Sequence, residues 1–215
     1  MRGTRTQLAV SAAVAFTLSL PFVPASGGFV RAQEGTPAPV VFPVSPDAVD
    51  CTVEARPLAD FERLLLATPQ IDAGIAASPT PFVPPDGDPA DEATMSGVTA
   101  TLLELYACYQ AGDPRRFHAL FTDEGIQRAY PPDVVDREFL DAFFAASPEP
   151  VEEPDQRATI LAIEDVTLLP DGRVGALVRS DEPEIGGLQA VYWIFVKSGD
   201  RFLVDDLMRG LPTGG

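Results

Sequence analysis

Apolar residues recur at helical spacing through the middle of the chain and at extended spacing after it. Val98, Leu102, Leu105, Tyr106 and Tyr109 fall at i, i+4, i+7, i+8 and i+11, which predicts one buried face of a helix. Ser96 stands in the N-cap position ahead of it. Gly112 ends this helix, and Asp113-Pro114 opens a second, with Asp as cap and Pro at the first helical position. Phe117, Leu120 and Phe121 give that helix its buried side. A third helix is predicted from about Asp136, where Phe139, Leu140, Phe143 and Phe144 make a narrow aromatic stripe. Such a stripe marks core rather than a cofactor site. Ser147 to Gln156 reads as an acidic, Pro-broken loop.

Beyond that loop the period shortens to two. Strands are predicted over 157–168, 173–180, 187–198 and 201–207, with turns at Leu169-Pro170-Asp171-Gly172 and Ser198-Gly199-Asp200. Helices followed by hairpin-linked strands predict an α+β domain with N-terminal helices packed in an antiparallel sheet. The third strand is apolar on both faces: Ala190, Tyr192, Ile194 and Val196 on one, Val191, Trp193 and Phe195 on the other. A sheet with one wet face alternates with polar residues, so here both faces need cover. The three helices suit one face. A partner subunit, as a homodimer through the outer sheet face, or the proline-rich segment described next is expected on the other.

Residues 33–95 have a different texture. Eleven of the chain's 22 prolines lie between Pro37 and Pro89, and the segment carries a charge of −9. Thr36–Pro46 and Ser78–Pro89 read as extended linker, since Pro fixes φ and lacks a donor. Between them Leu58, Phe61, Leu64 and Leu65 predict a short helix near 58–67, opened by Pro57 and stopped at Thr68-Pro69. A helix of that length is unstable alone and must dock on the main domain. The acidic run Asp86 to Glu92 lacks the ligand order of a calcium loop and reads as solvated linker.

Residues 1–32 read as a secretory signal peptide: Arg2 and Arg5 precede an uncharged run of 13, Leu8 to Leu20, with small residues placed for cleavage after Ala25 or Ala32. The run is short of the ~20 residues a membrane span needs, so no integral membrane segment is expected after cleavage. The resulting organisation is signal 1–32, acidic segment 33–95, α+β domain 96–210 and a tail at 211–215. The product is expected to be secreted or otherwise extracytoplasmic. The use of 14 arginines against one lysine, Lys197, is consistent with a bacterial source of high GC content. Cleavage after Ala32 removes three arginines and no acids, taking the net charge from −17 to −20. That balance argues against nucleic acid as a partner, because phosphate affinity needs clustered Lys and Arg.

Export changes the reading of Cys51 and Cys108, the only cysteines. In an oxidising compartment a disulfide between them is expected. No metal site is expected, since two cysteines and His118, the single histidine, have no ligand spacing.

Two stretches resemble the nuclear transport factor 2-like superfamily, which includes SnoaL-like polyketide cyclases and ketosteroid isomerases. They are TLLELYACYQAGDPRRFHALFTDEG at 101–125 and LQAVYWIFVKSGDRFLVDDL at 188–207. The resemblance, spanning about residues 96–210, implies a curved sheet wrapped around helices as a cone that encloses a pocket. It usually comes with more strands than the four predicted here, and Gly125–Pro131 is where a further short strand would fall.

Catalytic relatives place an acid or base inside the cone, and proton transfer needs such a group desolvated and within reach of substrate. His118, Asp205 and Asp206 are the available bases, with His118 expected to be half-exposed after Arg115-Arg116. Tyr109, Tyr130, Arg179 and Trp193 are the candidate ligand-binding residues. For Arg179, a carboxylate on a neighbouring strand is the competing partner. No residue carries a family catalytic motif over, and no nucleophile elbow, phosphate loop or dinucleotide fingerprint is present, so no cofactor is implied. Non-catalytic binding of a small apolar ligand or a protein partner is the leading expectation. An isomerase, lyase or cyclase is the alternative, and a cell-surface interaction module a third.

Overall fold

The structure, a computed structural model, describes residues 41–67, 83–130 and 135–209; residues 1–40 with the signal segment, 68–82, 131–134 and 210–215 with the tail lie outside the described residues. The described chain begins as an arm. Val44 and Ile160 exchange backbone hydrogen bonds of 2.9 and 2.8 Å, after which helix α1, Leu58–Phe61, widens into a π-helical turn, Glu62–Ala67. Strand β1 is only Asp88–Pro89. Helix α2 runs Glu92–Gln110, α3 is Pro114–Phe117 extended by a 3-10 turn, His118–Leu120, α4 is Asp123–Ala129 and α5 is Arg137–Phe143. Strands β2 (Thr159–Leu168), β3 (Val174–Glu182), β4 (Gly187–Ser198) and β5 (Arg201–Arg209) follow. The five strands form one antiparallel sheet in the order β1-β2-β3-β4-β5, so the fold is α+β among the described residues.

Side-chain caps set most of the helix starts. Asp91, Asp113, Thr122 and Asp136 each accept a backbone N–H from the first turn of the helix they precede. Two sequence expectations are corrected here. Helix α2 begins at Glu92 under the Asp91 cap rather than at Ser96, because Asp91 sits closer to the β1 turn and its carboxylate reaches Thr94 N at 2.7 Å. The stretch around Gly125 holds helix α4, not a strand, since Thr122 caps Gly125 N at 2.9 Å and acids occupy the first turn.

The sheet is bent by irregularities. Strand β2 shifts register between Ile160 and Ala162 and again between Glu164 and Thr167, where Asp165 takes a left-handed φ of 49°. Strand β5 has an extra residue, Asp205, between Val204 (opposite Phe195) and Asp206 (opposite Ile194). Such bulges kink the strand and increase its twist.

The inner sheet face and the helices share one core. Val174, Ala176 and Val178 of β3 and Val191, Trp193 and Phe195 of β4 pack there with Val98, Leu102 and Leu105 of α2. The arm belongs to the same core. Phe61 stacks on Phe144 with ring centroids 4.0 Å apart, Leu64 and Leu65 are buried, and Arg56 pairs with Asp123 at 2.9 Å. Cys51 and Cys108 form a buried disulfide with Cα atoms 4.6 Å apart, joining arm to α2. The arm thereby supplies the docking that its short helix requires.

The outer face is also buried. Tyr192 and Ile194 are each 1% exposed and cluster with Leu169 and Leu177. Tyr192 lies across β3 at Gly175, where any Cβ would collide with its hydroxyl. A face closed to that extent leaves Tyr192 and Ile194 little surface for a second subunit to cover.

Candidate functional site

Alternation along β3 continues past the apolar residues. Val174, Ala176 and Val178 point inward, and the same parity carries Ser180 and Glu182 to the inner face at the far end of the strand. Their partners across the hairpin are Gln189 and Gly187 of β4. At this end the sheet and helices form a half-open cavity of about 140 Å³. Gln189, Val191 and Trp193 line it from β4, Glu182 from β3, and Ile185 from the 3-10 turn Pro183–Ile185. Leu105, Tyr106 and Tyr109 of α2 and Phe117 of α3 form the opposite wall.

The walls are mainly apolar and the polar groups gather at the Glu182 end. Tyr106 donates its hydroxyl hydrogen to Glu182 Oε1 at 2.7 Å, and Ser180 donates to the same oxygen at 2.6 Å. Tyr109 donates to Glu184 Oε2 at 3.0 Å. No ion pair among the described residues reaches Glu182 or Glu184. Trp193 is 6% exposed, and its buried indole N–H has no hydrogen-bond partner among the described residues.

Of the residues singled out in the sequence, Tyr109 and Trp193 meet in this cavity, and Tyr130 and Arg179 do not line it. Arg179 projects from the outer side of β3 and pairs with Glu164 of β2 at 2.9 Å, the competing partner already weighed for it. Tyr130 follows α4 and bonds His118 Nε2 at 2.8 Å.

The candidate bases are engaged elsewhere. His118 is 3% exposed, not half-exposed, because the 3-10 turn after α3 rotates it beneath Phe61, Phe117 and Phe144. Its Nδ1 is 2.6 Å from Pro114 O. A carbonyl only accepts, so Nδ1 carries the proton and Nε2 accepts from Tyr130. Burial pushes its pKa down from 6.5 to about 4, which keeps the imidazole neutral. Asp205 accepts hydrogen bonds from Thr122 Oγ1 at 2.9 Å, Arg128 at 3.1 Å and Arg173 at 3.0 Å, which fastens α4 to β5 and the β2–β3 turn. Asp206 accepts from its neighbour's amide, Leu207 N, at 2.8 Å.

Sequence reasoning missed Tyr106 and Glu182 as site residues. The signal was the β3 parity, which ends on a carboxylate once the strand is extended past Ser180. No protein family, curated protein or solved structure matches this chain. No helix among the described residues is long and apolar enough to cross a membrane.

Proposed function

We propose that the chain is an extracytoplasmic binding domain with an NTF2-like cone, whose cavity holds one small molecule with an apolar body and does not transform it. The observation that carries the reading is the cavity itself, roofed by Leu105 and Tyr109, floored by Val191 and Trp193, and about 140 Å³ in volume. An apolar cavity of about 150 Å³ accepts a single benzene-sized ring, whereas pockets for larger ligands run to roughly 300 Å³ and above. A ligand of one ring or its equivalent is therefore the fit. The Cys51–Cys108 bond supports an oxidising location.

Trp193 is the only tryptophan in the chain, so its emission reports on the cavity directly. Titration with single-ring alcohols should give a saturable change in that emission, abolished by Val191→Phe, which fills the space. An emission spectrum indifferent to every compact apolar probe would remove this reading.

A second reading has a specific observation behind it. Glu182 and the Tyr106 hydroxyl lie 2.7 Å apart inside an apolar cavity, the residue types of a proton-transfer site. An isomerase or lyase of this kind would use Glu182 as base and Tyr106 to polarise a carbonyl, on a substrate no larger than one ring. Loss of a measured turnover in Glu182→Gln, with retained binding, would establish it over simple binding.

A further inference from the structure

We infer that the cavity ligand is a small organic cation, an ammonium group carrying alkyl substituents. The inference rests on the binding reading above and adds the sign of the ligand's charge. Four aromatic side chains line the cavity, Tyr106, Tyr109, Phe117 and Trp193. Aromatic faces present negative charge density, and several around one space form the arrangement that holds alkylated ammonium groups. No lysine, arginine or histidine among the described residues lines the cavity. The charged side chain in the wall is Glu182, and Glu184 stands behind Tyr109.

Neither of these two carboxylates is in an ion pair among the described residues. Among the described residues eight other carboxylates, Asp47, Asp60, Glu62, Asp113, Asp123, Glu164, Asp171 and Asp205, do face an arginine within 4 Å. Glu182 is half-buried and, among the described residues, is held only by hydroxyls, through Oε1, in a wall that is mainly apolar. A partly desolvated carboxylate without a cation favours a ligand that brings one. Its hydroxyl donors fix its direction and leave its charge in place. A net charge of −17 on the chain raises the local concentration of cations and opposes anions.

Choline chloride is the probe, because its trimethylammonium head matches a one-ring cavity. The control is its neutral carbon isostere, in which a quaternary carbon replaces nitrogen. Titration of the wild-type protein, followed by Trp193 emission and calorimetry, should show choline binding about tenfold or more tightly than the isostere. Glu182→Gln, which keeps an acceptor for Tyr106 and Ser180, should reduce that preference severalfold and leave isostere binding unchanged. Circular dichroism confirms that the variant is folded, and the wild-type comparison stands without it. Equal or tighter binding of the isostere overturns the cation and leaves the apolar pocket standing. Binding of neither, or of any other compact probe, overturns both. A choline preference that survives in Glu182→Gln overturns the assigned site.

Discussion

Tyr130 holds His118 in one tautomer, its hydroxyl hydrogen directed at Nε2 across 2.8 Å while Pro114 O receives the proton on Nδ1. Both imidazole nitrogens are thus satisfied within a shell of aromatic rings. The arrangement is structural, and it makes the chain's single histidine a reporter of the core.

The pH dependence of stability follows from that burial. The folded value of about 4 lies below the ordinary 6.5, so the unfolded chain takes up the proton first as pH falls. The histidine contribution is level above pH 6.5, declines between about 6.5 and 4, and levels again below 4, a loss on the order of 3 kcal/mol. Denaturation midpoints of wild type and His118→Gln between pH 7 and 5 check it. A His118 ring resonance titrating near 6.5 in the folded protein would refute it.

Removing the Tyr130 hydroxyl leaves Nε2 buried and without a donor. Tyr130→Phe should cost about 1–3 kcal/mol in urea denaturation. Choline or ring-alcohol binding should not change, because Tyr130 lies outside the cavity.

Asp205 anchors three elements through one carboxylate. Asp205→Ala leaves Arg128 and Arg173 facing a half-buried gap, and should destabilise by about 2–4 kcal/mol. If Asp205 were instead a catalytic base, Asp205→Asn would abolish turnover with little change in stability; the expected result is the reverse.

The disulfide closes a loop of 57 positions. In the chain-entropy treatment that is worth about 4 kcal/mol, and the paired Cys51→Ala, Cys108→Ala variant should lose about 2–4 kcal/mol. Proteolysis of the reduced protein should begin in the arm, which ahead of α1 is then held without a covalent tie, by contacts such as Val44–Ile160, Ser45 to Ala158 O, Arg116 Nη1 to Cys51 O and Arg56–Asp123.

Gly175 and Tyr192 are coupled by contact. Gly175→Ala alone should destabilise by about 1–3 kcal/mol, because a Cβ there meets the tyrosine ring and hydroxyl. In a double-mutant cycle with Tyr192→Leu the costs should be strongly non-additive. Additive costs would mean that Tyr192 does not lie across β3.

The elements with strong apolar periodicity were legible before the structure. The β4 sequence, with large apolar side chains on both faces, foretold a sheet buried on two sides, and Tyr192 and Trp193 occupy the two sides as expected. Helix α4 was not legible because Ile126 is its one large apolar residue and Gly125 weakens helix propensity. The reason for that glycine is tertiary: β5 passes so close that a Cβ would stand 2.6 Å from Val204 O. Strand β1 is two residues long and one of them is Pro89, which no pattern of alternation reveals. The site was half legible. Tyr109 and Trp193 were chosen from chemistry alone, while Glu182 needed the β3–β4 register that sets it opposite Gly187.

The sheet is laid down in the order in which the chain is made, each strand pairing with the one before it. The arm does not share this convenience. Ser45 hydrogen-bonds Ala158 O, 113 residues later, and Phe61 waits for Phe144. The earliest described segment to be synthesised is thus among the last to be satisfied, and through that interval it carries Phe61, Leu64 and Leu65 uncovered. A chain halted before α5 would display those side chains to any chaperone or protease at hand, so the finished arm is in effect a seal placed after the helices have assembled.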